Sequence, residues 1–541
     1  MLREVTSRLR SDEVDGYVRS GAWTDDTIHG LMLASAAATG DGLLMTDSRW
    51  TVSGRELETG IARACDSLLA AGVGPRSVVG LHTGNHVEFV ILHTALSSLG
   101  AVTLTLPSRL PSADVAALLE QADADALVAP TGSAPRIATH LPASMRFLSY
   151  PDTGDGRELG SLDVIRSGRS PETAPWEVEA SARDYIMMPT AGTTGHPKIA
   201  LRTHRAWIAM ARKKLKTLGS LELSNRDAVL VLSPLVQGIG YLHGFVLPLL
   251  VPGLRRLMVP RFDADFALDL AERHRPTILL GVPTHAMRLL DAARERTSDL
   301  SSVRMFQSGG DAFPVAARHD FEDTLRIPVI SDYGLSDVGA ACAISPDDPV
   351  NKRRETAGTA MPWTDVAVLN EDGSDCAEGV VGEVALRGPD MITCYYPEDP
   401  ADARPETLVR SGDLGFLDAD GYLVIVGRTK DLIIRGGANI SPQQVETAVR
   451  THPLVREVAV VGRRDPVLGE RIAAVVRLKP DAVLDLPSLL NHLEAEGVSK
   501  SVWPEFLHVL DEFPSSPGGK VDKRALRLVV DQSAASPTRK G

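Results

Sequence analysis

Four cysteines in 541 residues (Cys65, Cys342, Cys376 and Cys394) are too scattered for a disulfide framework, and no C-x-x-C pair offers a zinc site. They read as reduced, mostly buried thiols of a cytoplasmic protein. A basic excess is also missing. The 57 Lys and Arg stand against 70 Asp and Glu, a formal net charge of -13, which argues against a general nucleic-acid binder and favours solubility. No run reaches the roughly 18 apolar residues that cross a bilayer; the most apolar window, Tyr241 to Pro252, is short and contains His243 and two prolines. Met1 to Ser20 is charged throughout and has no apolar signal-peptide core. No repeat of solenoid period is present, and the phosphate-loop spacing G-x-x-x-x-G-K-[ST] is absent. A chain of this length, 43% hydrophobic and 23% charged, reads as an ordinary soluble protein of more than one domain.

What the chain does have is the stretch Met187-Met188-Pro189-Thr190-Ala191-Gly192-Thr193-Thr194-Gly195-His196-Pro197-Lys198. Tyr185 to Met188 is apolar, as a buried strand end is. Trp207, Ala211, Leu215 and Leu218 recur at helical spacing after it, so the loop is expected to join a strand to a helix. Gly192 and Gly195 let backbone N–H groups turn toward one point. Thr190, Thr193 and Thr194 add hydroxyl donors and Lys198 a mobile charge, which together suit a nucleotide triphosphate. The competing reading is a flexible surface turn.

Elsewhere strands and helices alternate, which predicts mostly parallel sheets with helices on their faces. Ser53 with Glu56 marks the start of a helix to about Ala71. Strands are expected at 77–82, 101–106, 229–232, 277–280 and 305–308, with a largely apolar helix over 87–99. In open sheets of this kind ligands sit beyond the carboxyl ends of strands. That makes Gln237-Gly238 and Val282-Pro283-Thr284 pocket-wall candidates, against core packing as the alternative. Gly309-Gly310-Asp311 follows another strand. Residues 379–396 read as a small β-rich subdomain and residues 150–182 as a surface connection. The last 111 residues, 431–541, suffice for a small α/β domain. After residue 530 the composition is that of a disordered tail.

Thr190 to Lys198 resembles the phosphate loop of the adenylate-forming superfamily, which holds acyl- and aryl-CoA ligases, peptide-synthetase adenylation domains and luciferases. Further segments match that family in order over nearly the whole chain: Gln307 to Ala312, Ser331 to Asp337, Arg410 to Gly415, Gly427 to Gly437 and Pro514 to Lys523. The resemblance implies a large domain over 1–430, with parallel sheets and a β-rich subdomain, and a small mobile domain over 431–541. It implies that Gly309, Gly310 and Asp311 lie against adenine and that the Tyr333 ring stacks on it beside Gly334. It gives the Ser336 hydroxyl to the α-phosphate and Asp337 to Mg²⁺, where the family has the longer Glu. Asp413 would accept from both ribose hydroxyls, Arg428 would reach ribose or phosphate, and Lys430 would be a hinge. Gly436 and Gly437 would line a thiol channel. Lys520, with Thr194 and Lys198, would serve the reacting phosphate.

The implied chemistry is attack of a carboxylate on the α-phosphorus of ATP, loss of pyrophosphate, and transfer of the acyl group from AMP. Leu201-Arg202-Thr203-His204 resembles a string of aryl-acid enzymes, yet Gln237-Gly238 stands where readers of an ortho hydroxyl carry His-Asn. The acid expected is therefore aromatic or bulky and cyclic rather than dihydroxybenzoate. The segment Arg435 to Pro442 favours coenzyme A as acceptor, ahead of a free-standing carrier protein and then an amine. Neither nucleic acid nor membrane is an expected partner. An alternative of another class, a non-catalytic nucleotide sensor, is disfavoured because Lys520 and Asp413 are both present.

Overall fold

The computed structural model describes residues 11–151, 160–166, 182–190, 197–296, 298–397, 408–514 and 521–532. The chain forms two compact units. The first comprises Met1–Phe313, Arg318–Val366 and Leu386–Val409; the second comprises Pro314–Ala317, Ala367–Ala385 and Arg410–Gly541.

The first unit carries two large sheets. The nine-stranded sheet runs Thr359–Ala360, Gly339–Ala343, Val329–Leu335, Met305–Gly309, Ile278–Leu280, Ala228–Val231, Arg255–Met258, Leu43–Thr46, Thr51–Ser53. Its six inner strands are parallel and its edges antiparallel. The eight-stranded sheet runs Cys394–Tyr396, Lys198–Thr203, Asp184–Thr190, Val102–Pro107, Val78–Thr83, Ala126–Pro130, Arg146–Tyr150, Asp163–Arg166. Val78–Thr83 is buried at every position, as expected of a parallel strand covered on both faces. Helix Gly54–Ala70 starts with the box read from the sequence: the Ser53 hydroxyl accepts from Glu56 N–H, and the Glu56 carboxylate accepts from Ser53 N–H. One apolar core cluster draws residues from both sheets, including Leu81, Tyr185, Tyr241 and Leu280.

Two expectations are corrected. The loop after Thr190 does not lead directly into a helix. Lys198–Thr203 is a strand paired antiparallel with Asp184–Thr190, with Thr190 opposite Lys198, and helix His204–Thr217 begins only afterwards. Ile199, Ala200 and Leu201 are all buried between neighbouring strands, which is why the helical spacing read further along does not extend back to them. The second concerns residues 379–396. Gly382–Arg387 belongs to a four-stranded sheet with Asp365–Leu369, Val409–Leu417 and Leu423–Arg428, but Cys394–Tyr396 joins the eight-stranded sheet. Its buried Cys394 and Tyr396 alternate with the half-buried Tyr395, the period of an edge strand with one covered face.

In the second unit, Val455–Asp465 and Gly469–Leu478 form a long antiparallel hairpin flanked by Ile433–Arg435, Ala438–Ile440 and Phe506–Val509. Helices Pro442–Arg450 and Leu486–Ala495 share a core with it through Val445, Val449, Leu489 and Leu493. Among the described residues no helix is long and apolar enough to cross a membrane.

Histidines buried in the first unit set a pH dependence. Burial pushes His82 and His285 down to about 4 and His93 down to about 3. These rings stay neutral in the fold but take up protons near pH 6.5 once unfolded, so stability falls as pH falls below 6.5, by about 1.4 kcal/mol per pH unit per group. Asp184, pushed up to about 6 by burial, offsets one of the three between pH 3.8 and 6. Burial also holds His29, His204 and His243 below 6.5 and lifts Glu88, so the histidines outweigh the carboxyls and urea unfolding should show a clear net loss of stability between pH 6 and 5. A midpoint that is flat over that interval would contradict the neutral burial of these rings.

Candidate active site

Four neighbouring parallel strands of the nine-stranded sheet end together. Ala228–Val231 leads through Ser233 into Gln237-Gly238, and Ile278–Leu280 into Val282-Pro283-Thr284. Met305–Gly309 leads into Gly310-Asp311, and Val329–Leu335 contains Tyr333. The registers Leu280 to Gln307 and Gly309 to Asp332 place these ends side by side. A Cβ on Gly309 would lie 2.4 Å from Ile239 Cδ1, so the end of that side chain packs directly on the glycine. Gly310 has φ +76°, a left-handed conformation that Gly adopts without strain, and only Ile239 comes within 4 Å of a Cβ built on it. The backbone is therefore open at Gly310, while Gly309 just before it is buried against Ile239. Gly238 is exposed, and a Cβ there meets nothing within 4 Å. Gln237 and Val282 are half-buried, Thr284 is exposed, and Pro283 starts helix Pro283–Glu295. Asn85 fixes this wall from behind: its Nδ2 donates to Ser233 O at 2.9 Å and its Oδ1 accepts from Leu235 N–H at 2.7 Å.

Gly334 sits at a bulge between Val329–Leu335 and Gly339–Ala343. A Cβ there would lie 1.9 Å from Gly339 O, so only Gly allows the two backbones to meet. The turn that follows holds Ser336 and Asp337. Arg202 donates to Ser336 O and to Asp390 O, and Ile392 N–H donates to Asp337 O at 2.9 Å. Tyr395 OH donates to Asp337 Oδ2 at 2.7 Å, and Lys198 Nζ lies 4.9 Å from the centroid of the same ring. Thr190 Oγ1 donates to Lys198 O at 3.1 Å. Thus Lys198 and Asp337 both meet Tyr395, and Thr190 is bonded to the Lys198 main chain. Gly192, Thr193, Thr194, Gly195 and Lys520 lie outside the described residues.

Buried charge supports both walls. Lys214 Nζ pairs with Asp332 Oδ1 at 2.5 Å, and His243 Nε2 with Asp332 Oδ2 at 2.7 Å. Burial pushes the Asp332 carboxyl up, but Lys214 and His243 outweigh it and bring it down to about 2. Burial holds His243 below its ordinary value despite the carboxylate beside it. His243 lies in the π-helical turn Tyr241–Val246, just past Gly238, and Asp332 immediately precedes Tyr333. Lys213, adjacent on the helix, pairs with Asp390 at 2.6 Å, and Asp390 also accepts from Ala340 N–H at 3.1 Å. The sequence reading missed Lys213, Lys214, Asp332, Asp390 and Tyr395. Only Asp332 carried a signal, its place beside Tyr333. Arg202, Thr203 and His204 have structural partners. Thr203 caps the helix, and the His204 ring stacks on Tyr185 at 4.0 Å.

In the second unit Asp413 and Arg428 face each other across paired strands and form an ion pair. Asp413 is in strand Val409–Leu417, not in an isolated turn. Lys430 is exposed in the short turn Thr429–Asp431. Gly436 and Gly437 follow strand Ile433–Arg435 with φ +56° and +86°. A separate acidic cluster in the first unit, Asp47, His86 and Glu88, is already engaged. Glu88 accepts from Arg49 and Trp50 side chains, and Asp47 from three backbone N–H groups.

Removing one partner of the Lys214 pair leaves a buried carboxylate with only His243. Lys214→Met should lower unfolding free energy by about 3–5 kcal/mol. Adding Asp332→Asn removes the stranded charge and should recover more than half of that loss. Urea titrations of the three proteins check this, and equal stability of the single and double variants would contradict it.

Residues 33–396 match the family described as AMP-binding enzyme, and residues 444–520 match the AMP-binding enzyme C-terminal domain. The medium-chain fatty-acid–CoA ligase of Escherichia coli is 28% identical over 539 residues, covering 97% of this chain and 94% of that protein. The indoleacetate–CoA ligase of Aromatoleum aromaticum is 30% identical over 482 residues, covering 87% and 91%. The ATP-bound structure of MatB from Rhodopseudomonas palustris shares the fold, with a TM-score of 0.79 at 24% identity over 94% of this chain and 100% of that one. The chain belongs to the AMP-binding enzyme family, within the adenylate-forming superfamily, and is an AMP-forming acid–thiol ligase.

Proposed function

We propose that this ligase activates an aromatic or bulky cyclic carboxylic acid with ATP and passes the acyl group to coenzyme A. The observation that carries the reading is the side-by-side placement of Gln237-Gly238, Gly309-Gly310 and Tyr333 at parallel strand ends. The open backbone at Gly310 suits a flat base, and the space above Gly238 suits a ring. That a relative acts on indoleacetate supports the aromatic class.

A carboxylate oxygen bonds to the α-phosphorus while the bond to the pyrophosphate oxygen breaks. The thiol sulfur then bonds to the acyl carbon, AMP leaves, and the thiol proton goes to solvent. Such steps ask the protein for alignment and charge neutralisation. The hydroxyls of Thr190, Thr193 and Thr194, the N–H groups of Gly192 and Gly195, and Lys198 and Lys520 would face the phosphates. Gly309, Gly310, Asp311 and Tyr333 with Gly334 would hold adenine, and Asp413 with Arg428 the ribose. Asp337 with Ser336 offers hard oxygen donors that fit Mg²⁺, which when bound neutralises phosphate charge. Gln237, Gly238, Val282, Pro283 and Thr284 would surround the acid. We assign 1–430 to the acid- and nucleotide-binding domain and 431–541 to a mobile domain hinged at Lys430, with Gly436 and Gly437 along the thiol's path. The protein is assigned to the cytoplasm.

Lys520→Ala should cut acid-dependent pyrophosphate release about 10²- to 10³-fold. Thioester formation from a supplied acyl-adenylate should be much less affected. Equal losses in both half-reactions would contradict the separate roles.

Gly238→Leu tests the acid wall. Its Cβ enters open space, so the fold should tolerate it. Each added methylene in such a pocket is worth about 1–3 kcal/mol, so activity on the largest accepted benzoate should vanish while smaller acids survive. Pyrophosphate release across acids graded in size reads this, and an unchanged ranking would remove Gly238 from the pocket.

A further inference from the structure

We infer that Tyr395 is a positioning residue that orients the Asp337 carboxylate and seats Lys198 beside it. The inference rests on the proposed assignment of Asp337 to the metal. Tyr395 is the half-buried central residue of Cys394–Tyr396, paired opposite Ala200 at the edge of the eight-stranded sheet. Its neighbours Cys394 and Tyr396 point into the core, so the Tyr395 ring is aimed at the opposite face. There its hydroxyl donates to Asp337 Oδ2 at 2.7 Å, and its ring face meets Lys198 Nζ at 4.9 Å. One side chain thereby touches the acid from the turn after Val329–Leu335 and the cation that ends the Gly- and Thr-rich loop.

The backbone of that turn does not depend on Tyr395. Arg202, only 5% exposed, holds Ser336 O, and Ile392 N–H holds Asp337 O. Ala340 N–H, just beyond, is held by Asp390, which the buried Lys213 neutralises. With the main chain fixed three ways, the phenol oxygen sets the side-chain torsion of Asp337. An Asp carboxylate without such a partner samples several rotamers, and ordering it on metal binding costs affinity. A phenol that donates to one oxygen holds the carboxylate in place before the cation arrives. The ring also draws the Lys198 charge toward its face by cation–π attraction.

The test uses the full chain and Mn²⁺ as the probe, with binding followed by loss of the free-ion electron paramagnetic resonance signal in the presence of ATP and no acid. Tyr395→Phe keeps the ring and deletes one oxygen. It should raise the half-saturating Mn²⁺ concentration about ten-fold, as loss of one hydrogen bond to a charged group does, with circular dichroism melting little changed. Asp337→Asn should weaken Mn²⁺ at least as much. The Tyr395→Phe/Asp337→Asn double variant should be no weaker than Asp337→Asn alone, since Tyr395 acts through that carboxylate. Losses that add would overturn the proposal, as would a Tyr395→Phe titration matching the unsubstituted protein while Asp337→Asn is impaired. If Asp337→Asn itself binds Mn²⁺ normally, the metal assignment fails and the positioning role fails with it.

Discussion

The first unit depends on how two adjacent lysines are buried. Lys213 and Lys214 sit on helix His204–Thr217 with no solvent exposure, and each is matched by one carboxylate. Lys213 reaches Asp390, which holds the start of Gly339–Ala343. Lys214 reaches Asp332, which joins His243 to the strand of Tyr333. Both desolvated pairs would be costly to break, and neither is a strong source of net stability. Their effect is geometric. Helix His204–Thr217 becomes a post to which the turn at His243 and the strands of Tyr333 and Ala340 are tied.

The strand ends supply surfaces of different kinds on that post. At Gly310 the backbone itself is the surface, with Gly309 buried against Ile239 just before it. At Gly334 the absent side chain lets two strands meet, so the turn with Ser336 and Asp337 emerges at a fixed height. Asn85 and Arg202 act from behind these surfaces, each bonding to main-chain groups. This division suits adenylate chemistry, in which reactants are aligned and charge is neutralised without a covalent enzyme intermediate.

Much of this was legible in the sequence because the relevant rules are local. Alternating strands and helices gave the parallel sheets, and the box at Ser53 and Glu56 gave a helix start. The Gly pair at Gly309 and Gly310 marked the end of a strand. What was misread needed partners distant in the chain. Lys198–Thr203 is a strand because neighbours on both sides pair with it, one of them almost 200 residues later. Cys394–Tyr396 looked local to the β-rich segment for the same reason. Lys213 and Lys214 carried no signal, since nothing nearby in sequence discloses Asp390 or Asp332. The side chains of the Arg202-Thr203-His204 string are engaged by a turn, a helix cap and an aromatic stack, partners that the string itself does not disclose.

A crystal structure of the protein with the 5′-O-sulfamoyl analogue of benzoyl-AMP tests the central claim most directly. The account predicts adenine against the Gly309-Gly310 backbone and the Tyr333 ring, with the benzoyl ring beside Gly238. Adenine bound away from these strand ends, or the benzoyl group remote from Gln237-Gly238 and Val282, would contradict it.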